Sequence, residues 1–310
     1  MKKKLFLLFA VISSILSSCA YEELSNIHPT PPSTRSEVKF SSNVLALSPS
    51  LSRAEDDSRV SKMPIGIFML GKEHLRVVEG KGNVKYVTAS GGSHNVNLTA
   101  ADDVIYFPDS GEGVRFMSYY PYRESMGGNI YKVDVTLQTN QHNLDLLYSF
   151  NPSSVYDKTF DSQKVPMIFE HQLTKIYINV KPGVGLQGVD LAGLKVSFSG
   201  LSTRADFNLL TGKLSNFSGM FSISPSVLIA GNGNVYSCEA IVIPTAKISD
   251  AKIVFDLKKS LGSVYTWSFR EELKKGTKYT YNVTVNRTGI VVDKKTHDWF
   301  NISLSEIIYE

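Results

Sequence analysis

From Val38 onward, the apolar residues of this 310-residue chain recur at period two or in short runs, between clusters of Gly, Asn, Asp and Ser. That spacing constrains the fold most. Successive side chains of a strand point to opposite faces, so period two buries one face of a sheet. Val38-Lys-Phe-Ser-Ser-Asn-Val, Tyr131-Lys-Val-Asp-Val-Thr-Leu and Tyr279-Thr-Tyr-Asn-Val-Thr-Val alternate in this way. Ile65-Gly-Ile-Phe-Met is a short buried run, and Val104-Ile-Tyr-Phe, Val114 to Tyr120 and Leu144 to Phe150 complete a first set. A second set starts with Val165 to Val180, read as one long strand. It continues through Leu194 to Gly200, Ala205 to Leu209, Met220 to Ile223, Tyr236 to Ile243, Lys252 to Leu257 and Tyr265 to Phe269. Gly91-Gly92, Asp109-Ser-Gly and Gly127-Gly-Asn are turn chemistry. No long stretch keeps the i, i+3, i+4, i+7 spacing of an amphipathic helix. Each half offers about seven strands, which predicts an all-β chain of two β-sandwiches in tandem. The boundary falls in the polar stretch from Lys158 to Lys164.

The first residues read as an export signal. Lys2 to Lys4 are basic, Leu5 to Leu16 is apolar and uncharged, and Leu16-Ser-Ser-Cys19 follows. The apolar run is too short to cross a hydrocarbon layer of roughly 30 Å as a helix. The Leu-Ser-Ser-Cys run resembles the lipobox of bacterial lipoproteins. In that reading Cys19 becomes the N-terminus and carries the acyl chains that hold the protein at the membrane. Residues 1–18 are then the signal. The formal charge of +4 includes Lys2 to Lys4, so the mature chain is near neutral and carries no basic block. Nucleic acid is therefore a poor partner. Once Cys19 is lipidated, Cys238 has no disulfide partner and is expected to be a small buried strand residue.

Residues 20–37 hold His28-Pro-Thr-Pro-Pro-Ser-Thr-Arg-Ser, the composition of an extended tether. Leu51 to Ser61 is a polar loop carrying Arg53 and Arg59, the kind of segment that proteases nick.

Catalytic patterns do not emerge. The six His are scattered, and HExxH, CxxC, EF-hand and GxSxG spacings are absent. No metal or cofactor is expected. Asp102-Asp103 and Glu271-Glu272 are adjacent in strand-like sequence, so each pair points to opposite faces. His171 is expected to be a packed, hydrogen-bonded strand residue. Tyr119, Tyr120 and Tyr122 invite a sugar-stacking reading or a core reading.

Gly66-Ile-Phe-Met69, Arg115 to Tyr122, Asp145-Leu-Leu-Tyr-Ser, Val165 to Ile176 and Leu273 to Tyr281, taken in order with the lipobox and the arginine loop, resemble the fimbrillin family. These are the pilins of type V pili and their Mfa-like relatives. The resemblance implies two transthyretin-like, Greek-key-type β-sandwiches and no enzymatic activity. It also implies a lipoprotein precursor at the outer membrane, cut by an arginine-specific protease in the loop after the first strand. That strand then leaves, and a strand from another pilin subunit fills the groove, building a surface fimbrium that serves adhesion. Mapped here, the tether and removable strand are 19–53, the strand itself is Val38 to Leu47, and the sandwiches are 54–160 and 161–310. The favoured cut is Arg53-Ala54, then Arg59-Val60, then Arg35-Ser36. The donor strand would come from Ile290-Val-Val and Trp299 to Tyr309, with Ile302, Leu304, Ile307 and Ile308 as groove-filling candidates. The same segment reads equally as an edge strand. The arginine loop reads also as uncut, and the chain as a monomeric or anchor-type surface lipoprotein binding glycan or host protein.

Overall fold

The structure, a computed structural model, describes residues 35–42, 63–89, 96–186, 191–230, 235–246, 250–257 and 263–299. The chain clusters into two units, Met1–Arg35 and Ser36–Glu310, and every strand below belongs to the second. In chain order the strands begin with β1 (Lys39–Ser42), β2 (Pro64–Gly71), β3 (Val84–Thr88), β4 (Val96–Ala100), β5 (Val114–Tyr120) and β6 (Ile130–Asp134). Next come β7 (Leu147–Phe150), β8 (Lys164–Met167), β9 (Glu170–His171), β10 (Thr174–Pro182), β11 (Lys195–Ser199), β12 (Arg204–Asn208) and β13 (Lys213–Ser218). The series ends with β14 (Ser226–Ala230), β15 (Tyr236–Val242), β16 (Ala251–Leu257), β17 (Ser263–Phe269), β18 (Thr277–Asn286) and β19 (Gly289–Asp298). Helix is limited to a turn at Gln141–Leu144 and a 3₁₀ turn at Lys158–Phe160 among the described residues.

An eight-stranded sheet runs β8-β1-β4-β3-β2-β5-β7-β9. A five-stranded sheet runs β14-β15-β10-β18-β19, and two three-stranded sheets run β11-β16-β17 and β13-β12-β6. Sheet membership does not follow chain order at residue 160: β6 pairs with β12, and β8 pairs with β1.

The burial pattern explains the layering. β2 is apolar on both faces. Ile65, Ile67 and Met69 enter one core with Phe40, Tyr86 and Phe116, while Phe68 and Leu70 enter another with Tyr119, Tyr131 and Ile176. The short continuous run at 65–69 thus marks a layer covered on both sides. Gly66 is required there, because a Cβ would lie 2.2 Å from the Tyr119 ring. β18 instead alternates buried and half-buried residues along its length, the signature of one covered face.

Several strands depart from the sequence reading. β3 and β4 were not anticipated. Each mixes apolar with polar residues, whereas 104–107 is apolar throughout and reads as the strand. That segment is extended and pairs only through a Glu37–Tyr106 bridge. β13 and β14 were also missed, and residues 220–223 form no strand beyond an isolated bridge at Ile223. β13 is exposed along most of its length, so little burial marks it. Val165 to Val180 is three strands rather than one. Ile290 to Val292 do not lie beyond the last strand, because they sit inside β19, which is paired with β18 from Gly289 to Asp298.

Candidate functional site: the slot filled by the first strand

β1 has a partner on each edge. It runs antiparallel to β4, with Phe40 opposite Leu98, and parallel to β8, with Phe40 opposite Val165. The residues before it extend the seat: the Val38 N–H donates to Ile105 O at 2.9 Å, and the Phe107 N–H to Ser36 O at 2.9 Å. Val38, Phe40 and Ser42 are buried, whereas Lys39 faces solvent. The Phe40 ring meets Tyr86 and Phe116 edge-on, with centroids 5.2 and 5.0 Å away. Such pairs add to the burial of a large ring. Tyr86 is fixed in turn, since its hydroxyl accepts from the Ile105 N–H at 3.0 Å. Burial pushes its phenol up to about 12, so it is neutral at ordinary pH.

The slot is therefore a strand-shaped seat with two unlike rims and an aromatic floor. An extended segment placed there satisfies main-chain groups on both sides and fills the floor with every second side chain. Sequence reasoning located Phe40, Phe116 and Val165 but not the rest of the seat. Tyr86 and the β4 rim belong to strands it missed, although Val84-Lys-Tyr-Val-Thr and Val96-Asn-Leu-Thr-Ala do alternate.

Other candidates are placed differently. Tyr119 and Tyr120 are buried, so they cannot form an exposed sugar-stacking platform with Tyr122. Cys238 is fully buried and burial pushes its thiol up to about 12, as a core residue requires. His171 is buried, contacts Asp145 Oδ1 through Nδ1 at 2.7 Å, and stacks on Trp299 with centroids 3.8 Å apart. Beside that stack, Lys175 and Glu239 form an ion pair at 2.7 Å, each with 6% side-chain exposure. Asp103 pairs with Lys81 at 2.5 Å and Glu271 with Lys294, so neither doublet makes a carboxylate couple. Arg35 is half-buried. Cys19, Arg53, Ala54, Arg59, Val60, Ile302, Leu304, Ile307 and Ile308 all lie outside the described residues.

Layered sheets around two apolar cores, with the first described strand set between two strands from later in the chain, define an all-β protein of layered sheets. A family model described as Fimbrillin-like matches residues 52–299. A Bacteroides uniformis protein named as a candidate fimbrium subunit, Fim1C, is 31% identical over 305 residues, 96% of this chain and 95% of its own. The crystal structure of a candidate cell adhesion protein from Bacteroides uniformis reaches a TM-score of 0.70 at 30% identity, covering 87% of this chain and 99% of that one. The tip fimbrial protein Mfa3 of Porphyromonas gingivalis shares the fold alone, at TM-score 0.51 and 9% identity over 84% of this chain and 98% of its own. The chain belongs to the fimbrillin-like family. It is a fimbrial protein of the cell surface, from a structural and adhesion family rather than an enzymatic one. No helix among the described residues is long and apolar enough to cross a membrane.

Proposed function

We propose that the chain is the precursor of a type V pilus subunit, stalk or tip, that polymerises by strand exchange and serves adhesion. One observation carries this reading. β1 is an interior strand of its sheet, yet it comes first among the described strands, and residues 43–63 join it to β2. A single cut in that stretch, at Arg53-Ala54 or second at Arg59-Val60, separates β1 from the body without severing any of the described strands. Departure of β1 leaves the β4 rim unpaired and the Tyr86–Phe116 floor uncovered. Unpaired rims of this kind favour capture of another strand. Ile302 and Leu304 alternate with polar residues as a strand for such a seat must, and Ile307 and Ile308 follow them.

The rest of the route belongs to the same proposal. Residues 1–18 direct export, and Cys19 carries lipid that holds the precursor at the outer membrane. An arginine-specific protease matures it, and other pilin subunits are its partners in the polymer. The division into a removable segment at 19–53 and sandwiches at 54–160 and 161–310 is part of the reading too. The two apolar cores, one holding Phe40 and the other Ile178, each draw residues from both sides of residue 160, so the sandwiches of this reading exchange strands across that boundary.

The test is the N-terminal sequence and intact mass of the protein taken from the cell surface. An N-terminus at Ala54 or Val60, in a polymer, is the expected result. A lipidated Cys19 on an uncut monomeric chain would overturn the proposal and leave a standing surface lipoprotein.

A further inference from the structure

Among the described residues β8 has a single sheet partner, and that partner is β1. Its sequence suits an edge, because Pro166 lacks an N–H and cannot complete ladders on both sides. Beside β8 lies a cavity of about 450 Å³, with no described strand in it, lined in part by Phe116, Ser149, Phe150, Tyr156, Val165 and Met167. The strand across that cavity is β7. β9 covers β7 only at Leu147 and Tyr148, leaving the Ser149–Phe150 end facing the cavity. β8 is one end of the sheet order and β7 is next to the other, and yet they line one space.

We infer that β8 is a conditional rim of the strand-accepting slot: it is held as a strand only while β1, or a strand standing in for it, fills the seat. Main-chain pairing holds β8 through β1 alone, over the register Lys39–Lys164 to Ser42–Met167. Its two inward side chains, Val165 and Met167, pack in the same core as Phe40. Two side-chain hydrogen bonds also reach it. Lys164 Nζ donates to Asn97 Oδ1 at 2.7 Å on the exposed face, and Ser118 Oγ donates to Met167 Sδ at 3.4 Å. A thioether is a weak acceptor and an exposed bond adds little. When β1 leaves, the slot and the cavity merge, and the opening extends from β4 to β7. The acceptor surface is then two strands wide, and a donor must both fill the floor and restore β8. The coupling of β8 to β1 stands on the sheet order alone; its part in assembly rests on the proposed function above.

Hydrogen–deuterium exchange on the full chain tests the coupling. The amides to compare are those of Val165 and Met167 in β8, Phe40 and Ser42 in β1, and Ile67 and Met117 in the middle of the sheet. In the unaltered protein, β1 and β8 should open at one shared rate, well above that of β2 and β5. Phe40→Ala should accelerate β1 and β8 together, by roughly a hundredfold, with Ile67 and Met117 little changed. Acceleration of β1 with β8 unmoved would overturn the inference. If Phe40→Ala does not fold, Val38→Ala and the shared rate in the unaltered protein decide the matter. The outcome is separable from the pilin reading. Surface protein that retains Val38 to Leu47 defeats that reading without touching the coupling, and an unmoved β8 defeats the coupling without touching that reading.

Discussion

Two parallel strand pairs stand out in a protein whose other named pairs are antiparallel. β10 and β18 pair in parallel over Lys175–Pro182 and Lys278–Val285, with β15 on the far side of one and β19 on the far side of the other. β1 and β8 pair in parallel over four residues, with β4 on one side and a cavity on the other. Parallel partners cannot be joined by a tight turn, so each pair unites strands far apart in sequence. The first pair is long and flanked on both sides, which makes it a structural spine. The second is short and flanked once. Under the proposed function, the same kind of pairing yields a permanent element in one place and a removable one in the other. The strand that lacks a second described neighbour is β8, and that is where the two pairs differ.

The comparison breaks most sharply on large-to-small substitutions. Ile178 lies in β10 between Cys238 of β15 and Tyr281 of β18, fully buried. Ile178→Ala should lower global stability by about 2–5 kcal/mol, read as a fall in the denaturant midpoint of the whole transition. Phe40→Ala removes a larger ring, with a nominal cost of about 3–5 kcal/mol. Its effect should be local, appearing as faster limited proteolysis before β2 while the main unfolding transition moves less than in Ile178→Ala. Equal shifts in the main transition would mean that β1 is as integral as β10.

The second prediction concerns what fixes the spine. Lys175 and Glu239 are paired at 2.7 Å between β10 and β15, both nearly buried. Removing one partner strands a charge in a site of low polarity. Lys175→Met should therefore cost about 3 kcal/mol, and Lys175→Met combined with Glu239→Leu should recover most of it. A denaturant series on the two variants checks this. A double variant no better than the single would show that the pair contributes in its own right.

Much of the spine was legible in the sequence because burial writes a pattern. β10, β15, β16 and β18 carry enough alternating or continuous apolar residues to be placed from residue order alone. The slot was half legible. Val38-Lys-Phe-Ser announces β1, but its rim does not announce itself. β4 offers only Val96 and Leu98 to the core, and β8 hides in a longer apolar stretch whose breaks are tertiary. Ile168 and Phe169 look like strand residues, yet there the chain leaves the β1 edge and turns to pair with β7. That choice of neighbour is made by packing, which residue order does not display. His171 was read as a packed strand residue and is one, but its stacking on Trp299 joins residues with no local relation.

A third prediction uses pH on the slot side. The Tyr86 phenol is raised to about 12 first by burial, with Glu37 and Asp103 adding to the rise and the Ile105 N–H opposing it. A phenol ionises to an anion, so a raised value means the folded state holds its proton longer than the unfolded chain does. The contribution is fully present below about pH 10 and is lost as pH rises from about 10 to 12, by about 2.5 kcal/mol in all. Tyr86→Phe should flatten that part of the stability–pH curve. It should also cost about 1 kcal/mol at neutral pH, because the buried Ile105 N–H loses its acceptor. An unchanged alkaline slope would place the loss with the other buried tyrosines of the spine, such as Tyr281, whose phenol burial also raises.

The smallest effect sharpens the comparison furthest. Lys164 reaches from β8 across the solvent face of β1 to Asn97 on β4, at 2.7 Å. This side-chain link spans the slot from rim to rim, and it is exposed. An exposed hydrogen bond exchanges water for protein and orders a long side chain, so Lys164→Ala should change stability by about 0.5 kcal/mol or less. Exchange at Val165 and Met167 should rise far less than in Phe40→Ala. A rise as large as that of Phe40→Ala would mean that the strap, rather than the ring beneath, holds β8. β8 would then keep its place after β1 departs, tied to β4 directly, and the slot would stay one strand wide. The contrast between the two parallel pairs would then lie in length alone, not in the number of neighbours each strand can lose.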